Sequence, residues 1–127
     1  MTYREANHVL RRGVRPAHDG TQINATATVE GATVVVYTVP ADNIFYLCTA
    51  VVGPFTIAAG LCSMYILTDG AAVWFPLGYI NVGAALDANS VSVTFWPPLE
   101  VPADYVVTLL TSAAGLICRG GVFGWIE

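Results

Sequence analysis

The sequence predicts an all-β protein, an antiparallel sandwich or barrel of about eight short strands. Two features carry the prediction: short runs dense in β-branched and aromatic residues, and Gly or Pro punctuation roughly every 8–12 residues. A third is negative, since no segment of helical length repeats apolar residues at i, i+3 and i+4. A chain of 127 residues suits one domain built on one core.

Residues 1–25 are polar and broken by Arg11-Arg12-Gly13, Arg15-Pro16 and Asp19-Gly20, which predicts an extended basic arm ahead of a sandwich domain over 26–127. From Ala27 the chain turns β-like; Glu30-Gly31 marks a turn or bulge, and Thr33–Thr38 is a β-branched run. Val39-Pro40-Ala41-Asp42 then stops one strand and starts another, because proline cannot donate to a ladder and Asp favours turns. Ile44–Val52 is the next strand, ended by Gly53-Pro54, and Phe55–Ala59 is a short extended piece. Leu61–Leu67 is apolar at both parities and so is expected to be covered on both sides. Asp69-Gly70 turns it into a returning Ala71–Phe75.

Pro76 and Gly78 halt that arm, and Leu77–Leu86 reads as a loop with one short strand at Tyr79–Val82, followed by a turn at Asp87-Ala88-Asn89. Beyond it, Val91, Val93 and Phe95 alternate with Ser90, Ser92, Thr94 and Trp96, the pattern of a half-exposed strand that Pro97-Pro98 stops. Val101-Pro102-Ala103-Asp104 repeats the earlier corner and opens Tyr105–Thr111. Leu116–Arg119 and Val122–Ile126 finish as two short strands, or as one strand bulged at Gly120-Gly121.

Composition points to assembly. Hydrophobic residues make up 55% of the chain and charged residues 11%, against about 25% charged in an ordinary soluble domain. So few charges cannot cover the outside, and much of it is expected to be covered by other protein. Residues 1–20 carry Arg4, Arg11, Arg12 and Arg15 against Glu5 and Asp19, +2 in all. The remainder carries Arg119 against Glu30, Asp42, Asp69, Asp87, Glu100, Asp104 and Glu127, −6 in all, which gives the net −4 of the chain. A basic arm on an acidic body suits carboxylates on a neighbouring subunit, and arginine's planar fork binds them well. Arg4, Arg11, Arg12 and Arg15 are therefore the candidate partner-binding residues.

Other classes fit poorly. The uncharged stretch 43–68 is long enough to span a bilayer, but Gly53-Pro54 and Gly60 interrupt it, Thr49, Thr56 and Ser63 dilute it, and both flanks are acidic. No membrane span is expected, and Met1–Gly20 lacks the apolar stretch of a signal peptide. Cys48, Cys62 and Cys118 form no C-x-x-C pair, and both histidines lie in the arm, so no metal or other cofactor is expected. Buried, inert thiols made in a reducing cytoplasm fit better. No Gly-x-Ser-x-Gly, phosphate-cradling loop or body histidine is present to support catalysis, so the chain is expected not to be an enzyme. Asp42 and Asp104 read as matched turn residues rather than an acid/base pair. Four arginines without interleaved aromatics, on an acidic chain, do not suggest nucleic-acid binding. The aromatic residues could line a sugar platform. With so little charge available, Trp74, Phe75, Trp96 and Trp125 are instead the candidates for a subunit interface.

The Val-Pro-Ala-Asp corner at Val39–Asp42, the Pro-Leu-x-Val-Pro-Ala segment at Pro98–Ala103 and the Gly-Trp-Ile-Glu ending at Gly124–Glu127 together resemble the small β-sandwich structural proteins of tailed bacteriophages. These include head decoration (cement) proteins and jelly-roll fibre or spike domains. The resemblance covers roughly residues 30–127. It implies a jelly-roll-like sandwich that forms a homotrimer and attaches to the major capsid protein on the capsid surface through its base or a terminal arm. The expected role is thus a virion structural protein that decorates or cements a phage head. The alternative is a trimeric tail-fibre or spike domain that binds a host-surface glycan.

Overall fold

The computed structural model describes residues 20–54, 58–82 and 90–127. Eight strands run in chain order: β1 (Thr21–Glu30), β2 (Thr33–Thr38), β3 (Phe45–Pro54), β4 (Gly60–Leu67), β5 (Val73–Val82), β6 (Val91–Val101), β7 (Val106–Thr111) and β8 (Ile117–Ile126). They form two four-stranded sheets ordered β1-β8-β3-β6 and β2-β7-β4-β5, with every pair antiparallel. This is the expected antiparallel β-sandwich. The pairing is nested: β4 pairs with β5, β3 with β6, β2 with β7 and β1 with β8.

Alternation along the strands supplies the core between the sheets. Phe45, Leu47, Ala50 and Val52 of β3 and Cys118 and Val122 of β8 face Cys62, Met64 and Ile66 of β4 and Val107 and Leu109 of β7. Each large side chain among them contributes about 1.5–3 kcal/mol by leaving water. At Gly120 a Cβ would meet the end of the Met64 side chain of the opposite sheet, so a larger residue there requires Met64 to shift. At Gly124 a Cβ would run into the Tyr46 carbonyl on the neighbouring strand.

The repeated Pro-Ala-Asp segments form two of the corners where the chain crosses between sheets, from β2 to β3 and from β6 to β7. In each, the amide three residues after the proline donates to the proline carbonyl, Asn43 to Pro40 at 3.2 Å and Tyr105 to Pro102 at 3.3 Å. Asp42 and Asp104 occupy the third position with φ of 66° and 68°, the left-handed conformation of a type II turn that Asp tolerates better than most residues. The corners are also tied to each other. The Val39 amide donates to the Tyr105 carbonyl and the Asp104 amide to the Val39 carbonyl, both at 2.9 Å.

Several boundaries differ from those the sequence suggests. β1 begins at Thr21, so the expected arm boundary after residue 25 falls inside a strand whose inward side is the weakly hydrophobic row Ile23, Ala25, Ala27, Val29. β5 is a single strand that passes through Pro76 and Gly78 with two register shifts against β4. β6 runs through Pro97-Pro98, where Leu47 pairs with Leu99 and Thr49 with Thr94, so four residues bulge opposite Cys48. Both are edge strands, where a proline can face away from the ladder. β8 is also one strand, and its register with β1 is unbroken at Gly120-Gly121. The uncharged stretch 43–68 supplies β3 and β4, and among the described residues no helix is long and apolar enough to cross a membrane. Of the extended piece expected over 55–59, residues 55–57 lie outside the described residues, as does the turn at 87–89.

If the corner aspartates serve by conformation, Asp104→Asn and Asp104→Gly leave urea-unfolding stability within about 0.5 kcal/mol, whereas Asp104→Val costs about 1–3 kcal/mol. A loss for Asn equal to that for Val would mean that the carboxylate itself holds the corner.

Candidate assembly surfaces

Strand alternation places one set of side chains on the outer face of each sheet. In β2, β7, β4 and β5 that set contains no side chain that is charged at neutral pH, because none of these strands includes Asp, Glu, Lys, Arg or His. Val35, Thr108, Tyr65 and Pro76 lie in one row across it, as successive cross-strand partners. Leu110, Ser63 and Tyr79 form the adjacent row. Val35 is 54% exposed, Tyr79 65% and Val73 66%, an apolar display that soluble monomers rarely carry.

The outer face of the other sheet is grooved rather than knobbed. Gly121 of β8 and Gly53 of β3 present no side chain there, and Val51, Pro54, Phe123 and Thr26 wall a hollow of about 350 Å³ with Arg119 beside it. A side chain at Gly121 would be tightly held, since a Cβ would lie 3.0 Å from Thr26 Cγ2 and 3.2 Å from the Ala25 carbonyl oxygen.

Charge collects at one end. The β2–β3, β4–β5 and β6–β7 connections share that end, and they hold Asp42, Asp69 and Asp104. Glu127 joins them, its backbone exchanging hydrogen bonds with Ile44 at 3.0 and 3.1 Å, and Glu100 lies one pair further in, opposite Tyr46. β1 starts at the same end, with Thr21 paired to Ile126. Residues 1–19 therefore join the body at its acidic end.

The interface candidates read from sequence land in different places. Trp96 stands on the β6 bulge and is 73% exposed. Trp74 packs edge-on against Tyr105 at 5.1 Å and is partly open. Phe75 points inward, against Phe95 of the opposite sheet at 5.8 Å. Trp125 stacks on Tyr46 at 5.3 Å and is only 4% exposed, so little of its ring is left for a second copy. Arg4, Arg11, Arg12 and Arg15 lie outside the described residues. Sequence reading missed Val35, Val73 and Tyr79. Tyr79–Val82 reads as a short strand in sequence, but Pro76 and Gly78 hide its continuity with Val73–Phe75 and so the face that the two share.

All three cysteines are free thiols; Cys62 and Cys118 are fully buried and Cys48 is half-buried at the β3 bulge. Burial, then the hydrogen bond and charge of Cys62, push the Cys118 thiol up to about 12, against weaker lowering from the Gly53 and Arg119 backbone. Burial also raises Cys62 and Cys48. Among the described residues no cluster of three His, Cys, Asp or Glu side chains could hold a metal.

No protein-family model matches the chain, and no curated protein matches it. Solved structures do. A chain from the acid-stable capsid of Helicobacter pylori bacteriophage KHP30 matches with a TM-score of 0.59 at 10% identity, over 83% of this chain and 87% of that one. A pentameric capsid protein from metagenomic phage sequences matches with a TM-score of 0.52 at 15% identity, over 80% of this chain and 61% of that one. A second structure so described gives 0.51 at 14% identity. This chain thus spans about three-fifths of the pentameric protein, and at these identities the likeness is one of fold.

Because the folded state holds the Cys118 proton more tightly than the unfolded chain does, its contribution is complete below the ordinary thiol value of 9.0 and is lost as pH rises toward about 12. Urea midpoints are expected to fall across that window, and less steeply in Cys118→Ala. At neutral pH iodoacetamide should label Cys62 and Cys118 only after unfolding. Native labelling of Cys118 at the unfolded rate would contradict the burial argument.

Proposed function

We propose that this chain is a non-enzymatic structural protein of a bacteriophage virion that decorates or cements the head through self-association and arm contacts. The observation that carries the proposal is the likeness of its two-sheet sandwich to phage capsid proteins. Nested pairing of eight strands in two sheets supports a jelly-roll description, and an uncharged outer sheet supports burial against other protein. The working form is a homo-oligomer. A trimer is what the sequence resemblance implies, while the pentameric neighbours favour five copies; native mass decides between these rings. The partner is the major capsid protein, the site is the capsid surface, and synthesis is in the host cytoplasm.

Immunogold labelling of particles purified from a lysate in which the chain is made tests the location. Gold on heads is expected. The 73% exposure of Trp96 favours the second reading, a fibre or spike tip that binds a surface glycan, and gold confined to tails would select it. Unlabelled particles would overturn both.

The arm's role follows from its attachment at the acidic end, from which Arg4, Arg11, Arg12 and Arg15 can reach carboxylates on an adjacent subunit. Deletion of residues 1–19 stops short of β1, so the thermal melt should stay unchanged while co-sedimentation with capsids weakens. Each ordered arginine pair contributes about 1–3 kcal/mol. Undiminished binding would remove the arm from the interface.

A further inference from the structure

We propose that copies of this chain associate head to tail, the uncharged outer face of β2-β7-β4-β5 in one copy covering the grooved outer face of β1-β8-β3-β6 in the next. The inference rests on the self-association reading above and names the surfaces that carry it. Its basis is that the two halves of a complementary contact lie on opposite faces of one sandwich. One face displays Tyr79, Val73 and Val35, each more than half exposed. The other holds a hollow of about 350 Å³ whose depth comes from the bare backbone of Gly121 and Gly53.

Chemistry and size both suit a second copy. The uncharged face offers no partner for an ionic surface, whereas the hollow is walled by Val51, Pro54 and Phe123 and has one guanidinium, Arg119, beside it. An aromatic ring such as that of Tyr79 can fill such a hollow and lie against a guanidinium face. Four strands about 4.8 Å apart and roughly 20–30 Å long present on the order of 400–600 Å² in projection. Side-chain relief raises the accessible area toward the roughly 800 Å² that each partner commonly contributes to a stable interface. Two uncharged faces packed on each other would also hide apolar surface, but that two-fold contact leaves the groove unfilled. Contact between unlike faces uses both surfaces of every copy and closes into a ring of three or more when the rotation permits.

The test uses the full-length chain and one exposed substitution on each face. Tyr79→Arg blocks the knobbed face and Thr26→Arg blocks the groove, and circular dichroism checks that each variant folds. Val35→Lys and Val51→Lys replace them if either does not. Native mass spectrometry should find the wild type as a ring or open stack of three or more copies, with self-association at least roughly 30-fold weaker in each variant, the size of an interface hot spot. Mixed one to one, the two variants should form a heterodimer and nothing larger, because one good face survives in each. A wild-type ring or stack untouched by either substitution would overturn the face assignment and leave self-association standing. A wild-type dimer dissolved by Tyr79→Arg but not by Thr26→Arg would replace it with a two-fold contact. A monomeric wild type would overturn this inference together with the self-association reading.

Discussion

The interaction on which the rest of the molecule depends is the mutual bonding of its two Pro-Ala-Asp corners. Each crosses the chain from one sheet to the other through a turn whose third residue has positive φ, and the Val39 backbone bonds to both Asp104 and Tyr105. Fixing these crossings side by side makes β2 the neighbour of β7 and sets β3 against β6. In the sheet that holds β3 and β6, β8 lies between β3 and β1, which leaves β1 at the edge. Val39 and Val101, which lead into the corners, are both fully buried, so the turns are anchored in the core rather than hung from its edge. The antiparallel pairs also settle which residues share a face, since a one-residue slip would turn a strand's apolar side to solvent.

Close approach of the sheets has its own consequence. Met64 of the opposite sheet occupies the space above Gly120, and within the sheet the Tyr46 carbonyl of β3 crowds Gly124, so β8 carries little side-chain bulk at the centre of its sheet. Gly121, on the other side of the same strand, leaves the outer hollow. One glycine-rich strand thus serves inward packing and outward shape at once. The buried Cys62 and Cys118 thiols fit this setting as small apolar groups, because deprotonation of either is opposed by the absence of water.

Strands dense in apolar and β-branched residues were legible from sequence. Ile44–Val52, Leu61–Leu67 and Tyr105–Thr111 match observed strands to within a few residues, Val91 is the observed start of β6, and the two corner aspartates sit in turns as expected. The misses have physical reasons. β1 shows its inward side through two alanines, too small to mark a hydrophobic period. β5 and β6 contain prolines that would end a central strand but are tolerated at an edge, and edge position is a property of the whole sheet. The surfaces were less legible than the strands. Composition showed that charge was scarce, yet which face lacks it depends on how four separate segments assemble, and the hollow depends on Gly53 and Gly121 meeting from different strands. Exposed and buried aromatics looked alike in sequence: Trp96 and Trp125 differ because one rides a bulge and the other stacks on Tyr46.

The distribution of charge constrains assembly independently of any likeness to other proteins. Asp42, Asp69, Asp104 and Glu127 gather at one end of the sandwich, while one whole sheet is uncharged. Removing carboxylates from water is costly unless they are paired, whereas removing apolar strand faces is favourable. Packing through the broad faces would therefore keep the acidic end solvated and aim it the same way in every copy of a ring. Such a ring would have one acidic rim from which each basic N-terminal segment also departs, since β1 begins there. Like charges gathered on one rim repel one another, and arginines reaching across it from neighbouring copies, or carried into a capsid below it, would relieve that repulsion. The uncharged face and the oppositely charged arm would then be two parts of one physical solution: the first would supply contact area that carries no charge of its own, and the second would neutralise the charge that the contact concentrates.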